Sequence, residues 1–152
     1  MNKESIYSYF LEYLGDKKKN LSLASYNLTE EDGLAEIELK ILEDSEELKI
    51  SSDGVGLVDS AFSALVTHYA PDYTSLNTIT ITDAYFSTDF SKKSPNSNMK
   101  SRMEINLEFE NQSRVKTSFK DKAASLGYTA VKIVVSAIEF YLNCELLFKR
   151  LR

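Results

Sequence analysis

The chain has one cysteine, one histidine and no long apolar run, and each scarcity narrows what it can be. A lone thiol, Cys144, cannot close an internal disulfide, so a stapled secreted scaffold is excluded and a cytoplasmic setting is expected. Only Lys149 lies near it as a basic activator, so an inert thiol is expected. His68 has no cysteine or carboxylate cluster at metal-ligand spacing around it, so a surface position and no metal site are expected. No phosphate loop, nucleophile elbow or dinucleotide fingerprint is present, so neither a cofactor nor catalysis by this chain is expected. The longest apolar stretch, around 133–142, is broken by Ser136 and Glu139 and is too short to span a bilayer. The N-terminus lacks the pattern of a secretory signal, so the Asn-x-Ser/Thr triplets at Asn20, Asn27 and Asn111 read as chance.

Positive charge is also scarce. The net charge is −5, and residues 30–47 carry nine acidic side chains against one, Lys40, that is basic. Such a face repels phosphate and argues against nucleic acid as a partner. The one basic cluster, Lys17 to Lys19, reads as a helix end followed by a soluble linker.

What is abundant is periodic apolar pattern. Residues 4–14 place Ile6, Tyr7, Phe10, Leu11 and Leu14 at helical spacing, ended by Gly15. Three strands are expected at 21–28, 35–42 and 47–51; in the second, Ala35, Ile37, Leu39 and Ile41 alternate with Glu36, Glu38 and Lys40. A helix then carries Leu57, Val58, Ala61, Phe62, Leu65 and Val66 on one face. The order recurs. Strands are expected in 75–87, 102–110 and 114–119, with Met103, Ile105, Leu107 and Phe109 alternating with polar residues, and a second helix from about 128. Both helices share a string, Val58-Asp59-Ser60-Ala61-Phe62 against Val134-Val135-Ser136-Ala137-Ile138. The reading is an α+β chain of two βββα units with mainly antiparallel sheets. Residues 1–19 form a helix and linker; residues 20–152 form the repeat domain, with repeats at about 20–70 and 73–150. Polar residues 89–101, with Pro95, read as a long connection between the fourth and fifth strands.

The junction at 53–59 concentrates the chemistry. Gly54 and Gly56 open directly into the first repeat's helix, with Asp53 where an N-cap is expected. A strand–Gly-x-Gly–helix junction lets unpaired backbone N–H groups and a partial positive charge approach a small anionic group. It equally serves as a tight turn that needs glycine. If it is a ligand site, Gly54 and Gly56 bring N–H groups to a carboxylate. Val55, Leu57 and Phe62 then line an apolar slot, and Asp53 or Asp59 meets an ammonium. A valine at Gly56 is expected to block that site while leaving the fold intact.

These strings resemble the C-terminal regulatory domain of α-isopropylmalate synthase and the related citramalate synthases. That family carries an Ala-x-Gly-Asn-Gly-Pro-Val-Asp-Ala junction, to which Ser52-Asp53-Gly54-Val55-Gly56-Leu57-Val58-Asp59-Ser60 is similar. Its Ala-Ser-x-x-Ala-Tyr-Leu-Asn string is similar to Ser136-Ala137-Ile138-Glu139-Phe140-Tyr141-Leu142-Asn143, with Arg150 following. The resemblance covers about residues 20–150. It implies two βββα units, dimerisation and feedback sensing of leucine or isoleucine in branched-chain amino-acid biosynthesis, with catalysis in a separate barrel that this chain lacks. Three departures stand out: Val55-Gly56-Leu57 for Asn-Gly-Pro, Leu76-Asn77-Thr78-Ile79 for Leu-x-Asp-Tyr, and Gly127-Tyr128-Thr129-Ala130-Val131-Lys132-Ile133 for Gly-x-Ser-x-Asp-Ile. They leave the fold untouched and bear on which amino acid is bound.

Assembly is suggested by the last helix. Val131, Ile133, Val134, Val135, Ala137, Ile138, Phe140, Tyr141 and Leu142 spread around most of its circumference, and a helix covering one sheet needs only a stripe. A second subunit, or the 4–14 helix, must cover the remainder; a homodimer burying residues 128–148 is expected. Three functions fit. The chain is an amino-acid-sensing module acting on a separately encoded enzyme, a dimerisation scaffold without ligand, or a regulatory fragment of a larger acyltransferase.

Overall fold

In a computed structural model the chain is described for residues 3–88, 103–122 and 125–151. Helix α1 (Lys3–Leu14) and a short 3-10 turn (Gly15–Lys17) lead into β1 (Leu21–Glu31), β2 (Leu34–Glu43), β3 (Glu46–Gly54) and α2 (Leu57–Tyr69). A second 3-10 turn (Thr74–Thr78) precedes β4 (Thr80–Thr88), β5 (Met103–Glu110), β6 (Lys116–Lys122) and α3 (Leu126–Leu151). Both sheets are three-stranded antiparallel meanders, ordered β1-β2-β3 and β4-β5-β6. The α+β reading with two βββα units is therefore correct. The connection at 89–101 lies outside the described residues.

The register follows from the alternation. Ile37, Leu39 and Ile41 of β2 and Ile105, Leu107 and Phe109 of β5 are fully buried, while Glu36 and Glu38 point to solvent. A one-residue slip would exchange these faces, so the pattern fixes the pairing. The first strand of each sheet carries a bulge, between Leu23 and Ser25 in β1 and between Ile81 and Asp83 in β4. Each extra residue, Ala24 and Thr82, reverses the parity of the strand. Leu21 and Leu23 thus share the inner face with Tyr26 and Leu28, which pair with Leu39 and Ile37. Ile79 and Ile81 likewise precede Ala84 and Phe86, which pair with Leu107 and Ile105. The two repeats therefore match through a shared irregularity as well as a shared order.

One continuous core joins both sheets and both helices. Helix α2 lies over β2 and β3, and its Phe62 ring reaches Phe109 of β5 at 5.9 Å. Helix α3 crosses β1 of the first sheet and β5 and β6 of the second. Between them, the two sheets, α1 and α2 bury Val131, Ile133, Val134, Val135, Ala137, Ile138, Tyr141 and Leu142 within one chain. The all-round apolar surface of α3 thus needs no second subunit, because two sheets, where one was assumed, converge on it.

Helix α1 docks through Tyr7, Leu11 and Leu14, with the Tyr7 ring 4.9 Å from that of Phe140. The linker after it is held by the buried Asn143. Its Oδ1 accepts from the Lys19 backbone N–H (2.8 Å), and its Nδ2 donates to the Lys19 carbonyl (3.0 Å) and the Tyr7 hydroxyl (3.3 Å). Lys19 also pairs with Asp44 at 3.5 Å, so the basic cluster does more than end a helix. The expected apolar side of α1 is split: Ile6 and Phe10 face solvent.

Candidate functional site

Strand β3 runs through Gly54, so Asp53 sits within the sheet opposite Glu36 and is not the N-cap. Gly56 takes that place, at φ 95° and ψ −179°. This conformation is open to glycine alone among the common residues, since a Cβ would strain the backbone. The valine expected to leave the fold intact is therefore strained there by backbone geometry, although the space beside Gly56 is empty. Gly54 is needed for packing. A Cβ on it would lie 2.7 Å from the Cα of Ser60, in the first turn of α2.

The first turn is organised by its own side chains. Asp59 Oδ2 accepts from the Val55 backbone N–H at 2.8 Å, a bond reaching back to the residue before the cap, while the first-turn N–H groups that Asp53 was expected to meet receive no side-chain cap. The fully buried Ser60 donates its hydroxyl to the Gly56 carbonyl at 2.6 Å. The start of α3 is built differently. The Tyr128 backbone N–H meets the Ser125 hydroxyl at 3.5 Å, and the Tyr128 hydroxyl donates to the Leu23 carbonyl at the β1 bulge, 2.9 Å away. A side chain on Gly127 would collide with the Tyr26 hydroxyl, so this glycine lets α3 settle onto β1.

The two helix starts open on the same cleft. About 490 Å³ in volume, it is lined by Val55, Leu57, Val58 and Asp59 from the junction, Ile81 and Phe86 from β4, and Leu126, Gly127 and Ala130 from α3. Its wall is apolar apart from Asp59. The partial positive charges of two helix N-termini converge on it, a setting that favours an anionic group. Of the residues singled out in the sequence, Val55, Leu57 and Asp59 line the cleft. Gly54 and Gly56 do not line it, Asp53 stays in the sheet, and Phe62 turns into the core. The contributions of β4 and α3 were missed. The internal repeat carried a signal for α3, whose start is the counterpart of the first helix start, but none for β4, because its counterpart β1 does not line the cleft.

His68 is exposed and stacks edge-on with Tyr69 at 4.7 Å. Burial pushes the half-buried Cys144 thiol up to about 11, which suppresses the reactive thiolate. No group of three potential metal-ligating side chains occurs among the described residues, and no described helix is long and apolar enough to cross a membrane. No protein-family model matches the chain, and no curated protein is significantly similar to it.

Proposed function

We propose that this chain is a non-catalytic, cytoplasmic module that senses a small branched-chain amino acid and acts on a separately encoded enzyme, as the resemblance to the isopropylmalate synthase regulatory domain implies. The observation that carries the reading is the meeting of both helix starts at one apolar cleft beside Asp59. A ligand carboxylate is drawn to the paired helix N-termini, and its aliphatic side chain fits against Leu57, Val58, Ile81 and Phe86. Its ammonium meets Asp59, whose second oxygen is available once Oδ2 has taken the Val55 N–H. The same cleft also supports a second reading, a scaffold without ligand, because eight of its nine lining residues carry no charge.

A thermal-shift screen with leucine, isoleucine and valine separates the two. At tenfold excess over Kd, binding adds about 1.4 kcal/mol, or about 3–6 °C for a chain of this size. Asp59→Asn keeps an oxygen for the Val55 N–H and loses the charge, so it should abolish the shift while leaving the unliganded melting temperature nearly unchanged. No shift with any of the three at millimolar concentration would leave the scaffold reading standing.

A further inference from the structure

The two repeats differ most where their helices cover the third strand. In the first repeat, Ser60 is fully buried, Ser63 Oγ bonds Ser52 Oγ of β3 at 3.0 Å, and Ala64 is buried, so α2 closes on its sheet. The shared helix string places Ser136, Glu139 and Phe140 at the matching positions of α3. There Ser136 is exposed and the helix stands off β6. The gap is a cleft of about 580 Å³, walled by α1, β6 and α3, with a volume in the range of small-molecule sites.

The lining of this cleft has a definite polarity. At one end Lys132 of α3 is already paired with Asp121 of β6 at 3.4 Å. Lys120 of β6, opposite Asn106 in the register, also lines the cleft. At the other end, two helical turns or about 10 Å along α3, stands Glu139. Its Oε2 accepts from the Leu21 backbone N–H at 2.7 Å, and Oε1 has no partner among the described residues. Burial holds this carboxyl above the usual carboxylate range; the Leu21 hydrogen bond and nearby Lys18 pull it down, and Asp44 pushes it further up. Beside it is an aromatic group: Phe140 packs 4.9 Å from Tyr7 and 5.4 Å from Phe119. A desolvated carboxylate next to aromatic rings attracts a cation with an apolar body, through charge and through the ring quadrupoles.

We infer that the cleft between α1, β6 and α3 binds a small organic amine, its ammonium on Glu139 and its apolar body against Phe119, Phe140 and Tyr7. Free α-amino acids fit less well, because a carboxylate one carbon from the ammonium would lie against the Glu139 carboxylate, with Asp44 adding to the repulsion. The site is separate from the cleft at the two helix starts and does not rest on the function proposed for it.

The test is a calorimetric and NMR titration of the full chain with 2-phenylethylammonium, with 3-phenylpropionate and phenylalanine as comparison probes. Saturable binding of the amine is expected, with chemical-shift changes at Ser136, Glu139 and Phe140, and weaker binding of both comparison probes. Glu139→Gln keeps an acceptor for the Leu21 N–H and should weaken the amine at least about tenfold, the size of one charge-assisted hydrogen bond. Ser136→Phe, at an exposed position on the cleft wall, should block it, and Asp59→Asn should leave it unchanged. Absence of saturable amine binding, or equal binding by Glu139→Gln, would overturn the assignment.

Discussion

Glycine does two different jobs at adjacent positions of this chain, and only the structure tells them apart. Gly56 is fixed by its backbone angles and Gly54 by the Cα of Ser60. The sequence showed that two glycines open a helix but not which one the backbone demands, because a dihedral angle leaves no trace in composition. Gly56→Val should therefore destabilise the fold by about 1–3 kcal/mol through strain at the start of α2, measured by urea denaturation. An unchanged midpoint would mean that the junction relaxes around the new side chain. Glu139 offers a second residue-scale test. Its carboxyl is raised in the folded state, mainly by burial, so the folded chain holds that proton more tightly than the unfolded one. Its contribution to stability is complete below the ordinary carboxylate range and is lost as pH rises through the raised value. Glu139→Gln should then match the wild type near pH 4 and exceed it at pH 7 in melting temperature. A variant that melts lower at pH 7 would show that the charge on Glu139 stabilises the fold.

Strands and helices were legible to different depths. The inward rows of β2 and β5 could be read residue by residue, since strict alternation admits one register. The edges β1 and β4 could not, because a bulge breaks the alternation that defines a strand. Residues 75–87 accordingly divided into a 3-10 turn and a strand. For α3 the apolar girdle was read correctly and its cover was not, since helical periodicity says how much surface must be buried but not by what. Ile138 lies at the centre of that girdle and is fully buried. Replacing it with Asp puts an unpaired carboxylate into the core and removes packed methyl groups, a combined loss on the order of 4–7 kcal/mol. Against a typical total of about 5–15 kcal/mol this should abolish cooperative unfolding, seen as loss of near-UV circular dichroism. A folded monomeric Ile138→Asp protein would instead mean that α3 faces another subunit.

In the whole molecule it is α1, and not the centre of α3, that carries an uncovered apolar face. Tyr7, Leu11 and Leu14 already use one side of α1 for docking. The other side carries Ile6, Tyr9, Phe10 and Tyr13 at i, i+3, i+4 and i+7, all exposed. Phe148 and Leu151 at the end of α3 are exposed as well, and Arg150 ties that end to α1 through the Leu14 carbonyl and the Tyr13 ring. An aromatic stripe of this spacing on an outward face marks an interaction surface. A two-fold homodimer in which this stripe packs on its copy is the simplest way to cover it. Light scattering should then give twice the 17.2 kDa chain mass. Tyr9→Glu combined with Phe10→Glu should halve it without changing the circular dichroism spectrum, because neither side chain belongs to the core. A wild-type chain that stays monomeric at high micromolar concentration would rule out self-association and leave the stripe to a different protein, such as the enzyme that the module is proposed to regulate.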